Sequence, residues 1–359
     1  MTIDSDVLAS LVRRCFERVG LPEPDALTVT EALIDANLRG NASHGVVRVP
    51  AYLRRAGSGL NGGSADVIET VSAGPLRRVD GGATLGPVAA ATATALCSRI
   101  ATEHGIGLVA LGNGSHFGSA GFYARRIAAD GRIGLVATNG PAGMAPHGSS
   151  TPFLGTNAFA VGAPLPGRDQ FVLDMSCSVA ARGKIIRAGE LGESIEPGIA
   201  VGPDGEPTTD PAAALAGAVL PLGGAKGTGM ALAISLAAGA LAGASFDDEA
   251  GRIHDSKPGP QGLGQLFLAI DPWRLGDRAP TEERIAALIE RLHSLPPAAG
   301  FDAVLYPGER GERERLRRLD DGVPVAPAEL EAIAGACADL ELADLAAEAR
   351  ALIDPSTSR

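Results

Sequence analysis

The segment IGLVALGNGSHFGSA, residues 106–120, separates two interpretations of this chain. It begins as a strand-like apolar run, and a helix-like segment follows its glycine-rich turn. Gly112, Gly114 and Gly118 are spaced as in a turn whose backbone N–H groups hold the phosphates of a dinucleotide. This spacing gives the first interpretation, a Rossmann-type nucleotide-binding fold.

Two features of the sequence oppose that interpretation. The next strand-like run, residues 133–138, ends in Asn139-Gly140-Pro141, without an acidic side chain to hold a ribose hydroxyl. The turn also contains His116, and an imidazole is the side chain best suited to proton transfer near neutral pH. The turn therefore holds either a cofactor phosphate or the acid/base group of an enzyme.

Composition limits the class of protein. The 359 residues are 45% hydrophobic, which is enough for two or three packed units. The formal net charge is −11 and basic residues do not cluster, so we expect no nucleic-acid and no anionic-membrane partner. Four scattered cysteines without a Cys-x-x-Cys pair, and an N-terminus without a signal-peptide pattern, indicate a cytoplasmic protein.

One uncharged stretch, residues 227–246, is long enough to cross a bilayer. It consists mostly of alanine and glycine, with few large apolar residues. We therefore interpret it as a helix buried on all sides rather than as a membrane span.

Periodicity indicates helices at both ends of the chain around a mixed middle part. Helices are predicted over residues 6–19, 25–38, 46–55, 87–103, 119–129, 282–294, 309–319 and 327–352. Strands are predicted over residues 105–111, 133–138, 158–163, 171–174, 266–270 and 302–306, and a surface loop over residues 246–264. The predicted domains are a discontinuous helical domain, residues 1–65 plus 281–359, and an inserted α/β domain, residues 66–280.

His44 and Arg48 form one candidate site because they lie four residues apart. In a helix that begins at Gly45 both side chains would project from one side, and Tyr52 continues the stripe. A guanidinium there could hold a carboxylate through two hydrogen bonds while the imidazole reaches the neighbouring carbon's oxygen. Spacing alone favours an ordinary exposed helix face.

Other candidate segments are rich in glycine. The turn around His116 leaves room for a ligand, and the long segment 139–157 is dense in glycine, proline and short hydroxyl side chains. Lys226 begins the long apolar helix, where backbone N–H groups and a cation make an anion site, although a plain glycine-rich helix start fits equally. The six histidines show no metal-ligand spacing, so no metal site is predicted.

Taken in order, these motifs resemble the malate/L-lactate dehydrogenase family of the non-Rossmann type, over nearly the whole chain. They are SHG with the following arginine and tyrosine (43–52), SHFG (115–118), TN (138–139), LGTN (154–157), DMSCS and ARGKI (174–185), GEPTTDP (205–211), PLGG and KG (221–227) and PGE (307–309). Each motif alone is weak, whereas their order and spacing are highly specific.

The resemblance implies an NAD(P)-dependent oxidoreductase, usually a homodimer, without a metal. Such an enzyme transfers a hydride between nicotinamide and C2 of a small 2-hydroxy or 2-oxo acid or a cyclic imino acid. The implied fold is an α/β (α+β) fold of the L-sulfolactate dehydrogenase type, with a mixed sheet inserted in a helical domain built from both termini.

The resemblance also assigns residues. The implied catalytic residues are His116, His44 and Asp174, with His116 as principal acid/base and His44 as a partner that orients the substrate. The implied substrate-binding residues are Ser43, Arg48, Tyr52, Thr156 and Asn157, of which Arg48 holds the carboxylate. The implied cofactor-binding residues are Asn139, Met175, Ser176, Ser178, Lys184, Gly224, Lys226, Gly308 and Glu309.

Some positions depart from the family pattern. His147 replaces a bulky aromatic residue, Ala158 replaces a proline, and Gln265 replaces a histidine near the late strand. These departures bear on the substrate and on the choice between NAD and NADP more than on the reaction.

Two rival interpretations stay open at this point. One is a Rossmann-type dehydrogenase that uses Gly112, Gly114 and Gly118. The other is a catalytically silent ligand-binding homologue, which retention of the two histidines, Arg48 and Asp174 opposes.

Overall fold

The structure is a computed structural model that describes residues 1–254 and 259–353. The α-helices are α1 (Ser5–Arg18), α2 (Glu23–Leu38), α3 (Val49–Gly57), α4 (Gly86–His104), α5 (Ala120–Ala129), α6 (Arg182–Leu191), α7 (Pro211–Ala216), α8 (Ala225–Ile234), α9 (Arg278–His293), α10 (Glu309–Asp321), α11 (Pro327–Asp339) and α12 (Ala343–Ala351). The strands are β1 (Thr2–Ile3), β2 (Ile68–Ala73), β3 (Leu76–Asp80), β4 (Ile106–Gly114), β5 (Ile133–Thr138), β6 (Ala158–Ala163), β7 (Phe171–Ser176), β8 (Ala200–Val201), β9 (Pro207–Thr208), β10 (Ala218–Val219), β11 (Leu263–Ile270) and β12 (Val323–Pro324).

The central sheet is mixed and has the order β2-β3-β4-β11-β5-β6-β7. β3 and β4 are parallel, whereas β11 lies between β4 and β5 and runs antiparallel to both. In a Rossmann fold the strand before the glycine-rich turn and the strand after its helix are parallel neighbours. Because β11 separates these two strands, the Rossmann interpretation is wrong.

Helices from both ends of the chain share one hydrophobic cluster. Leu8 and Phe16 of α1 pack in it together with Leu330 and Ile333 of α11. β1 and β12 also pair in antiparallel orientation, which joins the two ends of the chain through backbone hydrogen bonds. This packing agrees with a helical domain built from both termini, and the domain boundaries stay a prediction.

The sheet is covered on both faces, which fixes the turn that follows β4. A cluster from α4, α5 and the sheet contains the fully buried Leu111, Tyr123 and Phe267. A second cluster of mostly small residues joins Ala110 and Leu266 to the chain that continues α8. The ends of β4 and β11 are therefore held between packed layers.

Two predictions about local structure are wrong. Residues 302–306 are irregular rather than a strand, since the Tyr306 N–H donates to the Glu309 carboxylate (3.3 Å) instead of to a neighbouring strand. The predicted helix 327–352 is two helices, because Glu341 has a φ of +61° and the Leu342 N–H bonds back to the Cys337 carbonyl (2.9 Å).

The prediction that residues 227–246 are buried on all sides is also wrong. α8 continues into a π-helical turn, Ser235–Ala240, and one face of this stretch is open to solvent. Leu232, Leu236 and Leu241 are each about half exposed on that face. No helix in the described part of the chain is long and apolar enough to span a membrane. Of the predicted loop 246–264, residues 255–258 lie outside the described residues.

Candidate active site

His44 and His116 come from distant parts of the sequence and lie side by side. His44 ends a 3₁₀ turn, Ala42–His44, and His116 follows β4. Their rings are stacked, with centroids 5.7 Å apart and planes inclined by 13°. The structure therefore brings the two predicted acid/base residues into one site.

The backbone around His44 is fixed by an amide of α2. The fully buried Asn37 accepts the Val46 N–H through Oδ1 (2.7 Å), directly behind Gly45. A Cβ atom at Gly45 would lie 1.9 Å from that oxygen, so only glycine fits there. This close approach explains why the sequence has glycine between His44 and Arg48.

The hydrogen bonds of His116 orient its ring. Tyr52 Oη lies 2.7 Å from His116 Nδ1, and the Gly118 N–H also points at Nδ1 (3.4 Å). These two contacts engage Nδ1 and leave Nε2 as the ring nitrogen that can exchange a proton with a ligand. Nε2 has no hydrogen-bond partner among residues 1–254 and 259–353, which leaves it available to a ligand.

Arg48 is held at one end only. Its Nε donates to the Ser43 carbonyl (2.8 Å), and no described residue bonds to its terminal nitrogens. The Ser43 hydroxyl in turn lies 3.0 Å from His44 Nδ1. The guanidinium is fixed beside two imidazoles, and no described residue bonds to its terminal N–H groups. It is therefore suited to bind both oxygens of a carboxylate.

The electrostatics of the site keep both histidines neutral in the free protein. Burial, and then the charge of Arg48, lower the pKa of His44 to about 4. Burial and Arg48 also lower the pKa of His116 well below its usual range, and His44 and His254 add smaller contributions. A carboxylate bound to Arg48 would offset this positive charge, so ligand binding would raise both pKa values.

Gln261 and Gln265 belong to the site, and the sequence analysis missed their role. Gln261 Oε1 accepts the His116 N–H (2.8 Å), and Gln265 Nε2 donates to the Ser115 carbonyl (2.9 Å). Both glutamines are buried, and they lie about 145 residues from the turn that they hold. The only signal in the sequence was the departure at Gln265 from the histidine of the family pattern.

Asp174 belongs to β7, and its carboxylate contacts the start of α5. Its Oδ2 accepts the Ser119 hydroxyl (2.5 Å) and the Gly121 N–H (3.0 Å). The carboxylate thus occupies the helix terminus at which a Rossmann turn would hold a phosphate. Loss of water around the carboxyl group raises the pKa of Asp174. These bonds tie it to α5 rather than to the histidines, and its catalytic role stays a prediction.

Two predicted ligand contacts, Asn139 and Asn157, are engaged inside the protein. Asn157 Nδ2 donates to Asp247 Oδ2 (2.9 Å), and its Oδ1 accepts the Gly140 N–H (3.0 Å). Asn139 Nδ2 donates to the Ser245 carbonyl and its Oδ1 accepts the Gly264 N–H, each at 2.8 Å. The side chains of both residues therefore hold loops together, and contact with a ligand stays a prediction for them and for Thr156.

Several predicted cofactor segments are adjacent in space. The Cys177 N–H donates to the Thr156 carbonyl (2.7 Å), and the Leu222 N–H donates to the Cys177 carbonyl (2.8 Å). These bonds place the residues on either side of Cys177 beside the start of α8. The predicted cofactor residues in these segments are Met175, Ser176, Ser178, Gly224 and Lys226.

The start of α8 is open and basic. Gly224 has a φ of +62°, and a Cβ atom there would lie 3.2 Å from the His147 ring. Lys226, in the first turn, and Lys184, in α6, have exposed side chains. An exposed cation in the first turn of a helix suits a phosphate group.

Gly308 and Glu309 lie at the other end of β7. The Val172 N–H donates to the Pro307 carbonyl (2.9 Å), about 13 Å along the strand from Ser176 at roughly 3.3 Å per residue. The Glu309 carboxylate accepts His293 Nε2 (2.8 Å) and Arg313 Nη2 (2.5 Å). β7 is an edge strand of the sheet, so it connects the two predicted parts of the cofactor site.

Comparison with known proteins places the chain in a family. Residues 3–334 match the family model described as malate/L-lactate dehydrogenase. The chain is 38% identical over 309 residues to the NADP⁺-dependent (2R)-3-sulfolactate dehydrogenase of Chromohalobacter salexigens, covering 86% of this chain and 90% of that protein. It is 35% identical over 326 residues to the Δ¹-pyrroline-2-carboxylate reductase of Ancylobacter novellus, covering 90% and 94%.

A solved structure agrees with the sequence comparison. The structure of sulfolactate dehydrogenase from Methanocaldococcus jannaschii superposes with a TM-score of 0.86, at 33% identity, over 95% of this chain and 98% of that chain. The fold and the site define a non-Rossmann oxidoreductase. The chain belongs to the malate/L-lactate dehydrogenase family, and the predicted fold class is confirmed.

Residues 1–254 and 259–353 contain no group of three or more histidine, cysteine or acidic side chains that could hold a metal ion.

Proposed function

We propose that this enzyme transfers a hydride between NAD(P) and C2 of a small 2-hydroxy or 2-oxo acid, or of a cyclic imino acid. One observation carries the proposal: the terminal nitrogens of Arg48 and His116 Nε2 are both without a partner in the described structure, in one site. A carboxylate binder and a proton-exchanging group in one site are the two groups that the reaction of such an acid requires. The names of the relatives, a sulfolactate dehydrogenase and an imino-acid reductase, support the same class.

In the proposed mechanism the protein orients the substrate and moves one proton. Arg48 holds the carboxylate, which places C2 and its oxygen or nitrogen beside the histidines. During reduction the imidazolium form of His116 gives its Nε2 proton to that atom and becomes neutral, and during oxidation the neutral ring takes the proton back on Nε2. Tyr52 holds the His116 ring through its hydrogen bond to Nδ1, and His44 orients the substrate. The nicotinamide, when bound, supplies or accepts the hydride.

We propose that the dinucleotide lies along the edge of β7, between the start of α8 and the Gly308 turn. The exposed cations Lys226 and Lys184 support phosphate binding at one end. The close packing of the Ser176–Ser178 segment against Leu222 supports one continuous site. The Asp174 carboxylate already occupies the start of α5, which supports a phosphate site outside the Gly112–Gly118 turn.

Lys226→Ala is expected to weaken NAD(P)H binding, because it removes a cation beside the phosphates. An exposed charged contact contributes about 1 kcal/mol or less, so we expect up to roughly a fivefold rise in Kd. Fluorescence titration with NADH and NADPH measures the effect, and Lys226→Arg should restore affinity. Arg99→Ala removes an exposed cation of α4 and serves as the control. Equal Kd values for Lys226→Ala and the control would exclude Lys226 from the cofactor site.

The pH dependence of kcat/KM should differ between the two directions. Oxidation needs neutral His116, and the pKa of this residue is lowered in the free enzyme, so kcat/KM for the 2-hydroxy acid should stay constant from about pH 6.5 upward. Reduction needs the proton, so kcat/KM for the 2-oxo acid should fall as pH rises over the same range. An oxidation rate that climbs about tenfold per pH unit between pH 6 and 8 would contradict the lowered pKa of His116.

We also propose that the enzyme is a cytoplasmic homodimer. The exposed leucines of α8 and the following π-helical turn, in a stretch without charges, support a subunit contact on that face. The four cysteines are all free and buried, which supports a reducing compartment.

A catalytically silent binding protein is the competing function. The intact set of Arg48, Tyr52 and the two histidines argues against it, because binding alone requires no ring with a free Nε2. An absorbance assay with NADH or NADPH and a panel of 2-oxo and cyclic imino acids tests the proposal. Consumption of the reduced cofactor with at least one acid supports the enzyme, and its absence with all of them supports the binder.

A further inference from the structure

Gln261 connects a surface loop to the backbone of His116. Its Oε1 accepts the His116 N–H and its Nε2 donates to the Gly251 carbonyl, each at 2.8 Å. The backbone N–H of Gln261 also donates to Ser115 Oγ (3.3 Å), and its carbonyl accepts the Gly251 N–H (2.9 Å). One buried residue thus makes two hydrogen bonds to Gly251 and two to the turn that carries the proton donor.

The turn at His116 is held on other sides as well. A Cβ atom at Gly86, the first residue of α4, would lie 2.2 Å from the His116 carbonyl oxygen, so the helix backbone packs directly against the turn. Gln265 holds the Ser115 carbonyl from β11, and Tyr52 holds the ring. Within residues 1–254 and 259–353 the His116 N–H has Gln261 Oε1 as its one partner, so this amide completes the support of the residue.

We propose that Gln261 is a positioning residue that fixes His116 for proton transfer and links its position to the loop ahead of β11. The proposal rests on the proposed function, in which His116 is the acid/base. The reach of Nε2 to a substrate depends on the φ and ψ angles of His116. Those angles are fixed by the bond from its N–H to Gln261, and displacement of a reacting group by about 1 Å can cost roughly 100-fold in rate.

The Gln261 side chain holds the His116 N–H and the Gly251 carbonyl, and two substitutions separate these two functions. Gln261→Met keeps the length and removes both side-chain bonds, so the His116 N–H and the Gly251 carbonyl lose their partner. Gln261→Glu keeps the acceptor for the His116 N–H and removes the donor to Gly251. If Gln261 acts by positioning His116, Glu should retain most of kcat, whereas a residue that only anchors the loop should fail equally in both variants.

The experiment compares the two variants with wild type and with Glu103→Met, which places the same side chain at an exposed position of α4. We expect Gln261→Met to lower kcat by about 10- to 100-fold with little change in NAD(P)H affinity. Gln261→Glu should lie within a few-fold of wild type in kcat. It should also shift the pH profile toward alkaline pH, because a carboxylate beside His116 favours the imidazolium.

A readout without turnover separates this proposal from the proposed function. The pKa of His116, followed by NMR of histidine-labelled protein and assigned with His116→Asn, should rise in Gln261→Glu and not in Glu103→Met. Equal kcat in wild type and Gln261→Met, or equal loss in the Met and Glu variants, would overturn the positioning role. A wild-type protein inactive with every acid would overturn the proposed function instead, whatever the NMR result.

Discussion

His116→Asn is expected to lower kcat by about 10²- to 10⁴-fold while NAD(P)H still binds, because general acid/base catalysis typically contributes that factor. Asparagine can still accept from Tyr52 Oη, which lies 2.7 Å from Nδ1 in the native protein, but it has no group that exchanges a proton near neutral pH. The effect should therefore appear in kcat rather than in the Kd of the cofactor. Steady-state kinetics and a fluorescence titration of the cofactor measure the two quantities.

His44→Asn provides the matched comparison, since His44 is stacked on His116 and touches Ser43. If His44 orients the substrate, its replacement should raise KM more than it lowers kcat. A fully inactive His44→Asn enzyme beside a His116→Asn enzyme with near-normal kcat would exchange the roles of the two residues.

Arg48→Lys should raise KM for every carboxylate substrate by about 10- to 100-fold, because hydrogen bonds to charged groups contribute roughly 1.5–3 kcal/mol. Lysine keeps the positive charge but loses the planar fork that can bind both oxygens of a carboxylate. It also loses Nε, which in the native protein fixes the guanidinium on the Ser43 carbonyl at 2.8 Å. Initial rates over a range of substrate concentration give KM and kcat separately.

Arg54→Lys is the control for that change, because Arg54 is an exposed residue of α3, the helix that begins directly after Arg48. It should leave KM and kcat unchanged. A KM near the wild-type value in Arg48→Lys would show that another group holds the carboxylate.

Local sequence patterns predicted the individual strands, whereas the order of the strands in the sheet depends on pairing between distant segments. The run before Gly112 predicted β4, and the run at residues 133–138 predicted β5. The insertion of β11 between them joins residues more than 120 positions apart, and no periodicity within one segment records such pairing. Sequence alone therefore left the Rossmann alternative open, and the antiparallel neighbour of β4 excluded it.

The site was predictable where one motif contains both partners. Ser43, His44 and Arg48 lie within six residues of chain, so the sequence named them as one candidate site, although their spacing alone favoured an exposed helix face. The contact of His116 with Tyr52 and with Gln261 joins segments 64 and 145 residues apart. Asp174 shows the same limit, since its bond to the start of α5 comes from a strand 53 residues later in the chain.

The exposed face of α8 could not be inferred from composition. Alanine and glycine fit a crowded helix interface, and the absence of charge over residues 227–246 indicated burial. The structure leaves Leu232 and Leu236 open to solvent in the single chain. Uncharged composition therefore does not distinguish a face covered within one chain from a face that a second subunit would cover.

Transfer of deuterium tests the central claim most directly. The enzyme would be incubated with NAD(P)H labelled with deuterium at nicotinamide C4, on each face in turn, and with the 2-oxo or imino acid that it reduces in the absorbance assay. Mass spectrometry would then locate the label in the product. The proposed reaction predicts one deuterium at C2 from one of the two faces. A product without deuterium at C2 from either face, or no product with any acid while NAD(P)H binds, would contradict hydride transfer at this site.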